Sequence, residues 1–261
     1  MRLDLYLFEN NYVKSRQKAK GLICDGNVKI DGSVILKPSF DINNYIEHKI
    51  EINDTCPYVS RGGLKLESII NAIQAKLENK VCLDIGASTG GFTHCLLLNG
   101  AKKVYAIDSG TNQLAKQILE DERVVSIENY NARNLNFDDI GEYLDVITID
   151  VSFISQNLII PAACKLLKDD GVYLSLIKPQ FETARAFIGK GGIVKDKKAR
   201  LHAVMSVISC ADINSLKCFA FLKSPIQGGD GNIEYLAAFS KKATSISNEY
   251  IKNIVLEWFG D

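Results

Sequence analysis

Between residues 81 and 177 the chain alternates short apolar runs with helix-patterned stretches, and this alternation restricts the fold more than any other feature. The runs cover 81–85, 104–107, 124–127, 146–149 and 172–177; each opens on valine and closes on isoleucine. Runs without polar alternation suit strands buried on both faces, which implies an α/β domain with a parallel sheet between layers of helices. Right-handed crossovers then gather the C-terminal ends of the strands along one edge. Ligands bind at that edge, so the residues just after each run matter most.

The first run leads through Asp84-Ile85-Gly86-Ala87-Ser88-Thr89-Gly90-Gly91 into a helix. Glycines let the backbone pass close under a ligand, and a helix N-terminus offers unpaired N–H groups. The dinucleotide pattern G-x-G-x-x-G needs glycine where Ser88 stands, so a pyrophosphate cradle is poorly matched. The second run ends at Asp108, where a carboxylate can take both hydroxyls of a ribose. Together these features predict S-adenosylmethionine, a nucleoside ligand without phosphates. Its expected contacts are Asp84, Gly86, Ala87, Ser88, Thr89, Gly90, Gly91 and Asp108, with Asn131 on the adenine side and Asp150 after the fourth run. Residues 86–90 also satisfy G-x-S-x-G, so a serine hydrolase using Ser88, with Asp150 or Asp196 and His202, is the competing reading. It is disfavoured because Ser88 follows the first run instead of a central one, no H-G-G loop precedes it, and His202 lies in a basic helical pattern.

The N-terminal segment has a different texture. Helices are expected over 3–10 and 15–24, with Ser15 as N-cap. In the second, Ala19, Leu22 and Ile23 share one face and Arg16 and Lys20 another. Val28-Lys29-Ile30 reads as a strand and Asp31-Gly32 as a hairpin turn, while Asp25-Gly26-Asn27 ends the helix. Basic and acidic residues balance at 31 each, so bulk charge does not announce a nucleic-acid partner. Local clusters carry that argument: Lys14, Arg16, Lys18 and Lys20, then Lys190, Lys195, Lys197, Lys198 and Arg200 around Asp196. The order Arg2-Leu3-Asp4, Ser15-Arg16, Ala19, Leu22-Ile23, Gly26, Val28, Ile30-Asp31-Gly32 resembles the S4 RNA-binding domain. That resemblance implies structured RNA, with Arg2, Arg16, Lys18, Lys20 and Arg61 as contacts that position the phosphate backbone.

Two further runs end in a charge: Thr148-Ile149-Asp150 and Leu176-Ile177-Lys178. Asp150 and Lys178 therefore emerge at neighbouring strand ends, at the edge where ligands bind. Lys65, Asp150, Lys178 and Glu234 resemble, in order and local motif, the K-D-K-E tetrad of FtsJ-like RNA ribose 2′-O-methyltransferases. The wider set is an S4 segment, P-Y-V-S-R-G-G at 57–63, D-I-G-A-S-T-G-G-F-T at 84–93, T-I-D-V-S-F-I-S at 148–155, K-P-Q-F-E at 178–182 and G-N-I-E-Y at 231–235. This set resembles the TlyA family over nearly the whole chain. The resemblance implies a Rossmann-like S-adenosylmethionine methyltransferase domain with a mostly parallel seven-stranded sheet, preceded by a small α+β S4 domain. It also implies methylation of cytidine ribose 2′-hydroxyls in the ribosomal RNA of ribosomal subunits. One departure is Ser109-Gly110-Thr111-Asn112-Gln113, where relatives carry Val-Gly-Tyr-Gly-Gln and so an aromatic beside the cofactor. A ribose hydroxyl is a poor acid, so two lysines and two carboxylates make chemical sense. Lys178 takes the proton, Lys65 orients the hydroxyl, and Asp150 and Glu234 hold the ammonium groups.

The expected organisation is an S4-like domain over 1–54, a hinge-like linker over 55–64 marked by Pro57 and Gly62-Gly63, a methyltransferase domain over 65–240 and a helical extension over 241–261. A chain of 261 residues can bury one sizeable core plus a small companion. No run approaches the roughly 18 apolar residues that cross a bilayer, so a cytoplasmic protein without membrane partners is expected. Seven dispersed cysteines without C-x-x-C and three isolated histidines give no metal site. The glycines of 189–192 suggest a mobile RNA-contacting lid, and residues 228–232 a turn that delivers Glu234. A third reading, a noncatalytic RNA-binding or haemolytic protein, follows the haemolysin label carried by the family; no amphipathic basic helix supports membrane attack.

Overall fold

A computed structural model describes residues 1–13, 15–24, 26–43, 47–53, 56–228 and 231–257, and divides the chain into compact units Met1–Arg61 and Gly62–Asp261. Lys14 of the basic cluster, Asp25 at the helix end, the 54/55 boundary, Gly229-Asp230 of the turn and the last four residues of the extension lie outside the described residues.

In the N-terminal unit, helices α1 (Leu3–Glu9) and α2 (Arg16–Cys24) cover an antiparallel sheet of order β2-β1-β3, with β1 Val28–Ile30, β2 Ser33–Val34 and β3 Ile50–Ile52. Ser15 Oγ accepts the Lys18 N–H at 3.1 Å, the capping bond expected for that residue. Ala19, Leu22 and Ile23 pack with Leu3, Leu7, Val28, Ile30 and Ile42 into one small core. Asp31 (φ 50) and Gly32 (φ 82) both take the left-handed conformation, whose twist suits a two-residue hairpin and sets Ile30 opposite Ser33.

The second unit holds a seven-stranded sheet of order β6-β5-β4-β7-β8-β10-β9. Its strands are β4 Val81–Ile85, β5 Lys103–Ile107, β6 Val124–Ile127, β7 Leu144–Ile149, β8 Leu167–Ile177, β9 Lys217–Lys223 and β10 Tyr235–Ser240. The first five run parallel, and β10 is antiparallel to both β8 and β9. Around them lie α3 Gly62–Ile73, α4 Gly91–Leu98, α5 Lys116–Leu119, α6 Phe137–Ile140, α7 Ile160–Ala163, α8 Pro179–Glu182, α9 Lys197–Ile213 and α10 Asn248–Glu257. Alternate strand residues face opposite sides. Val81, Leu83 and Ile85 join a core with Val204, Val207 and Ile251 of α9 and α10, while Cys82 is buried on the other face, where α3 and α4 lie against β4, β5, β8 and β10.

Three expectations are corrected. Gly62 and Gly63, read as part of a linker over 55–64, form the first turn of α3. The C-terminal helix is no appendage, because Ile251, Ile254 and Val255 belong to the main core. The strand before Ser88 comes first in this unit's sequence but is central in the sheet, so its position does not count against the hydrolase reading. At β4 the strand order turns, with β5 on one side and β7 on the other, which opens the ligand crevice beyond their C-terminal ends.

Candidate active site

The loop after β4 is held by its neighbours. Gly86 has φ 84, and a Cβ there would lie 2.5 Å from the Asp150 carbonyl oxygen, so glycine lets this loop touch the one after β7. Ala87 is buried, Ser88 and Thr89 are exposed, and Gly90 (φ 90) leads into α4 at Gly91. Asp108, at the tip of β5, accepts the Ser88 N–H at 2.8 Å and the Gly110 N–H at 2.7 Å. A carboxylate has about four lone-pair directions, so two remain for hydroxyl donors. Asn131 Oδ1 accepts the Arg133 N–H at 3.1 Å and caps the turn Ala132–Asn134, the structural role open to an asparagine there.

Asp84 departs from expectation: it is 0% exposed and has no surface to offer a ligand. Its carboxylate accepts hydroxyl bonds from Thr93 (2.7 Å) and Thr148 (3.0 Å), tying β4 to α4 and β7. Burial pushes its carboxyl from the ordinary 3.8 up to about 6; the two threonines oppose that shift, and the nearby Asp150 charge adds to it. Because the folded value is raised, the proton is bound more tightly in the folded state, and the stability it confers at low pH is lost as pH rises through about 6. Relative to Asp84→Asn, the native protein should lose on the order of 3 kcal/mol of unfolding free energy between roughly pH 4 and 7. Urea titrations at stepped pH check this, and a flat difference would show that Asp84 holds no proton linkage.

The four tetrad residues lie together. Lys178 Nζ is 2.5 Å from Asp150 Oδ1 and donates to Ser152 Oγ at 3.1 Å. Lys65 Nζ, from α3, is 2.5 Å from Glu234 Oε2, with side chains only 11% and 3% exposed. The two ion pairs are joined by strand register: Tyr235 pairs with Ile177 across β10 and β8, so the residues one step beyond, Glu234 and Lys178, stand side by side. An antiparallel strand entered from the functional edge puts the residue before it where parallel strands put the residue after them. Near this cluster stands a group the motifs contained but assigned no role. Phe153 is 91% exposed and has φ 64, a conformation that is an outlier for a bulky side chain. Its ring packs 5.1 Å from that of Phe181. A phenylalanine inside an apolar motif reads as core, so only its exposure reveals it.

The hydrolase reading loses its acids. Asp150 pairs with Lys178, and Asp196 Oδ1 caps α9 through the Ala199 N–H at 2.7 Å, while His202 is exposed on that helix. Beside the 189–192 loop, buried Asn232 donates to the Gly192 carbonyl at 2.9 Å and accepts the Val194 N–H at 3.0 Å. In the N-terminal unit, Arg2 and Arg16 both reach Asp4, each through Nε at 2.9 Å. Burial works against the Asp4 charge, but the hydrogen bonds from the two arginines outweigh it and hold the carboxyl below its usual range. The arginine side chains stay 48% and 45% exposed, so their outer edges face solvent. Arg61 packs its guanidinium over Gly21 of α2, beside exposed Lys20, while Lys18 is half-buried.

Residues 58–241 match the FtsJ-like methyltransferase family, and residues 1–43 match the S4 domain. The chain is 44% identical over 246 residues to Hemolysin A of Brachyspira hyodysenteriae, covering 92% of this chain and 99% of that protein. It is 37% identical over 234 residues to the 16S/23S rRNA (cytidine-2′-O)-methyltransferase TlyA of Mycobacterium tuberculosis, covering 90% and 87%. A solved structure from Streptococcus thermophilus that goes by the name hemolysin superposes with a TM-score of 0.78 at 38% identity, over 98% and 94% of the two chains.

Proposed function

The chain belongs to the FtsJ-like methyltransferase family, in its S4-bearing TlyA branch, and from this we propose that it methylates a cytidine ribose 2′-hydroxyl of ribosomal RNA, in ribosomal subunits of the cytoplasm. The observation that carries the reading is the convergence of Lys65, Asp150, Lys178 and Glu234 at the strand edge, beside the glycine turn after β4.

S-adenosylmethionine, when bound, supplies an electrophilic methyl on a sulfonium. The groups present suit it. Asp108 keeps free lone pairs for a ribose diol, and the start of α4, behind the exposed Thr89, offers N–H groups without a phosphate cradle. Asn131 borders the adenine side, and Asp84 acts from behind by fixing α4 and β7. The hydroxyl proton passes to the pair of Lys178 and Asp150, 2.5 Å apart, with Lys178 as its acceptor and Asp150 holding the ammonium that results. Lys65, held by Glu234, presents the second cation to the developing alkoxide. Phe153 gives the base of the target nucleotide a face to stack on. Alignment of the attacking oxygen supplies much of the remaining acceleration.

Ribosomal subunits incubated with tritiated S-adenosylmethionine should acquire label that protects one phosphodiester from alkaline hydrolysis, because that cleavage needs a free 2′-hydroxyl. Label on a base, or none, overturns the reading. In the N-terminal unit, Arg2, Arg16, Lys18, Lys20 and Arg61 are proposed to hold RNA phosphates. Arg16→Gln with Lys20→Glu should weaken RNA binding and flatten the salt slope by about 1 for each phosphate no longer neutralised, with S-adenosylmethionine affinity unchanged; filter binding across salt concentrations reads both.

A further inference from the structure

Glu182 closes the K-P-Q-F-E motif, and the reaction as described does not use it. Its carboxylate accepts the Ser155 hydroxyl at 2.5 Å and the Gln156 N–H at 2.8 Å. Burial raises its carboxyl above the ordinary range and those two bonds oppose the rise, so Glu182 is a partly desolvated acid fully engaged by one short segment. Gln156, 1% exposed, continues the network: its Nε2 donates to the Leu176 carbonyl at 2.6 Å, and its Oε1 accepts the Ser175 hydroxyl at 2.6 Å.

The segment from 150 to 156 is thereby pinned at both ends. At the front, Asp150 and Ser152 hold Lys178. At the back, Ser155 and Gln156 are fixed to Glu182 and to β8. Between the anchors stands Phe153, with φ 64 and 91% of its surface in water. A bulky residue keeps such a conformation only where its surroundings over-determine it, and outliers of this kind cluster at functional sites. The ring contact with Phe181 leaves 91% of Phe153 in water and repays little of the strain, so most of the restraint comes from the two anchors.

We propose that Glu182 is a positioning residue: by binding Ser155 and Gln156 it keeps the 150–156 segment in the strained form that presents Phe153 to the RNA and holds Asp150 against Lys178. This rests on the methyltransferase reading above for its consequence, and on geometry alone for the restraint. Glu182 touches neither reacting group; it acts through the segment it grips.

Glu182→Gln keeps the shape but has one acceptor oxygen in place of two, and Ser155→Ala removes the same hydrogen bond from the other side without leaving a charge buried. Each should lower kcat/KM for ribosomal RNA by about tenfold, the worth of one hydrogen bond to a charged group, with S-adenosylmethionine affinity unchanged. In a Phe153→Ala background Glu182→Gln should raise the KM for RNA no further, because the platform it serves is gone. Amide exchange at Phe153 and Gln156 should quicken in Glu182→Gln whether or not RNA is turned over. Unchanged kcat/KM together with unchanged exchange overturns the proposal, as does a fall in melting temperature with kcat/KM intact, which marks a purely structural group. If Glu182→Gln fails to fold, Ser155→Ala decides on the same readouts. Absence of methyl transfer by the native protein sinks the functional reading instead, and the exchange rates still decide whether Glu182 holds the segment.

Discussion

Lys178→Ala is expected to lower the rate of methyl transfer by about 10³-fold or more while leaving S-adenosylmethionine affinity within a few-fold of native, since the substitution removes both the proton acceptor and a cation beside the alkoxide. Asp150→Asn should approach that loss, because the amide keeps the shape but cannot compensate the ammonium 2.5 Å away. The double variant should be little worse than the poorer single one, as befits two groups that act as a unit. Single-turnover transfer to ribosomal subunits, with calorimetric binding of S-adenosylmethionine alongside, measures both quantities. Turnover retained in both single variants removes the pair from the chemistry. A parallel loss of S-adenosylmethionine binding reassigns it to the cofactor pocket.

The parallel strands were legible because burial on both faces leaves a mostly apolar run without regular alternation, and the motif spacing placed Asp150 and Lys178 at adjacent strand ends. Their partners were harder to place. That Glu234 stands beside Lys178 depends on β10 running antiparallel in one register, and β9 with its mixed exposure gave no run of the same kind. Asp84 looked like a ligand contact because it precedes the glycine turn. It lies inside β4, however, where alternation sends its side chain to Thr93 and Thr148. The partner of the 189–192 loop was out of sight because Asn232, which holds the Gly192 carbonyl, lies about forty positions away in sequence and looked like part of a turn. Arg2 and Arg16 are plainly basic, but the buried Asp4 that organises them is invisible to a count of charges. In each case the local chemistry was readable and the partner was set by tertiary contact.

The second large effect concerns the ion pair of Lys65 and Glu234, which joins α3 to the start of β10 almost out of water. Glu234→Ala leaves the Lys65 ammonium buried without compensation, a change that should cost about 3–5 kcal/mol in a denaturant titration. The environment leaves little room for relief: a Cβ on Gly228 would lie 2.6 Å from Glu234 Oε1, so the turn is closed tightly over the carboxylate. Replacing both partners by apolar side chains of similar volume, Lys65→Met with Glu234→Leu, should restore most of that stability, since a matched apolar pair avoids desolvating two charges. Methyl transfer should nevertheless stay at least about 10²-fold below native, because the cation at the alkoxide is gone. Stability and catalysis are separated by this comparison, as neither single variant can do. If the apolar pair regains activity along with stability, Lys65 and Glu234 are a structural tie, and the chemistry contracts to Asp150 and Lys178. If stability returns and activity does not, an interaction that folding could have replaced with hydrocarbon is kept for the charge it delivers to the sugar.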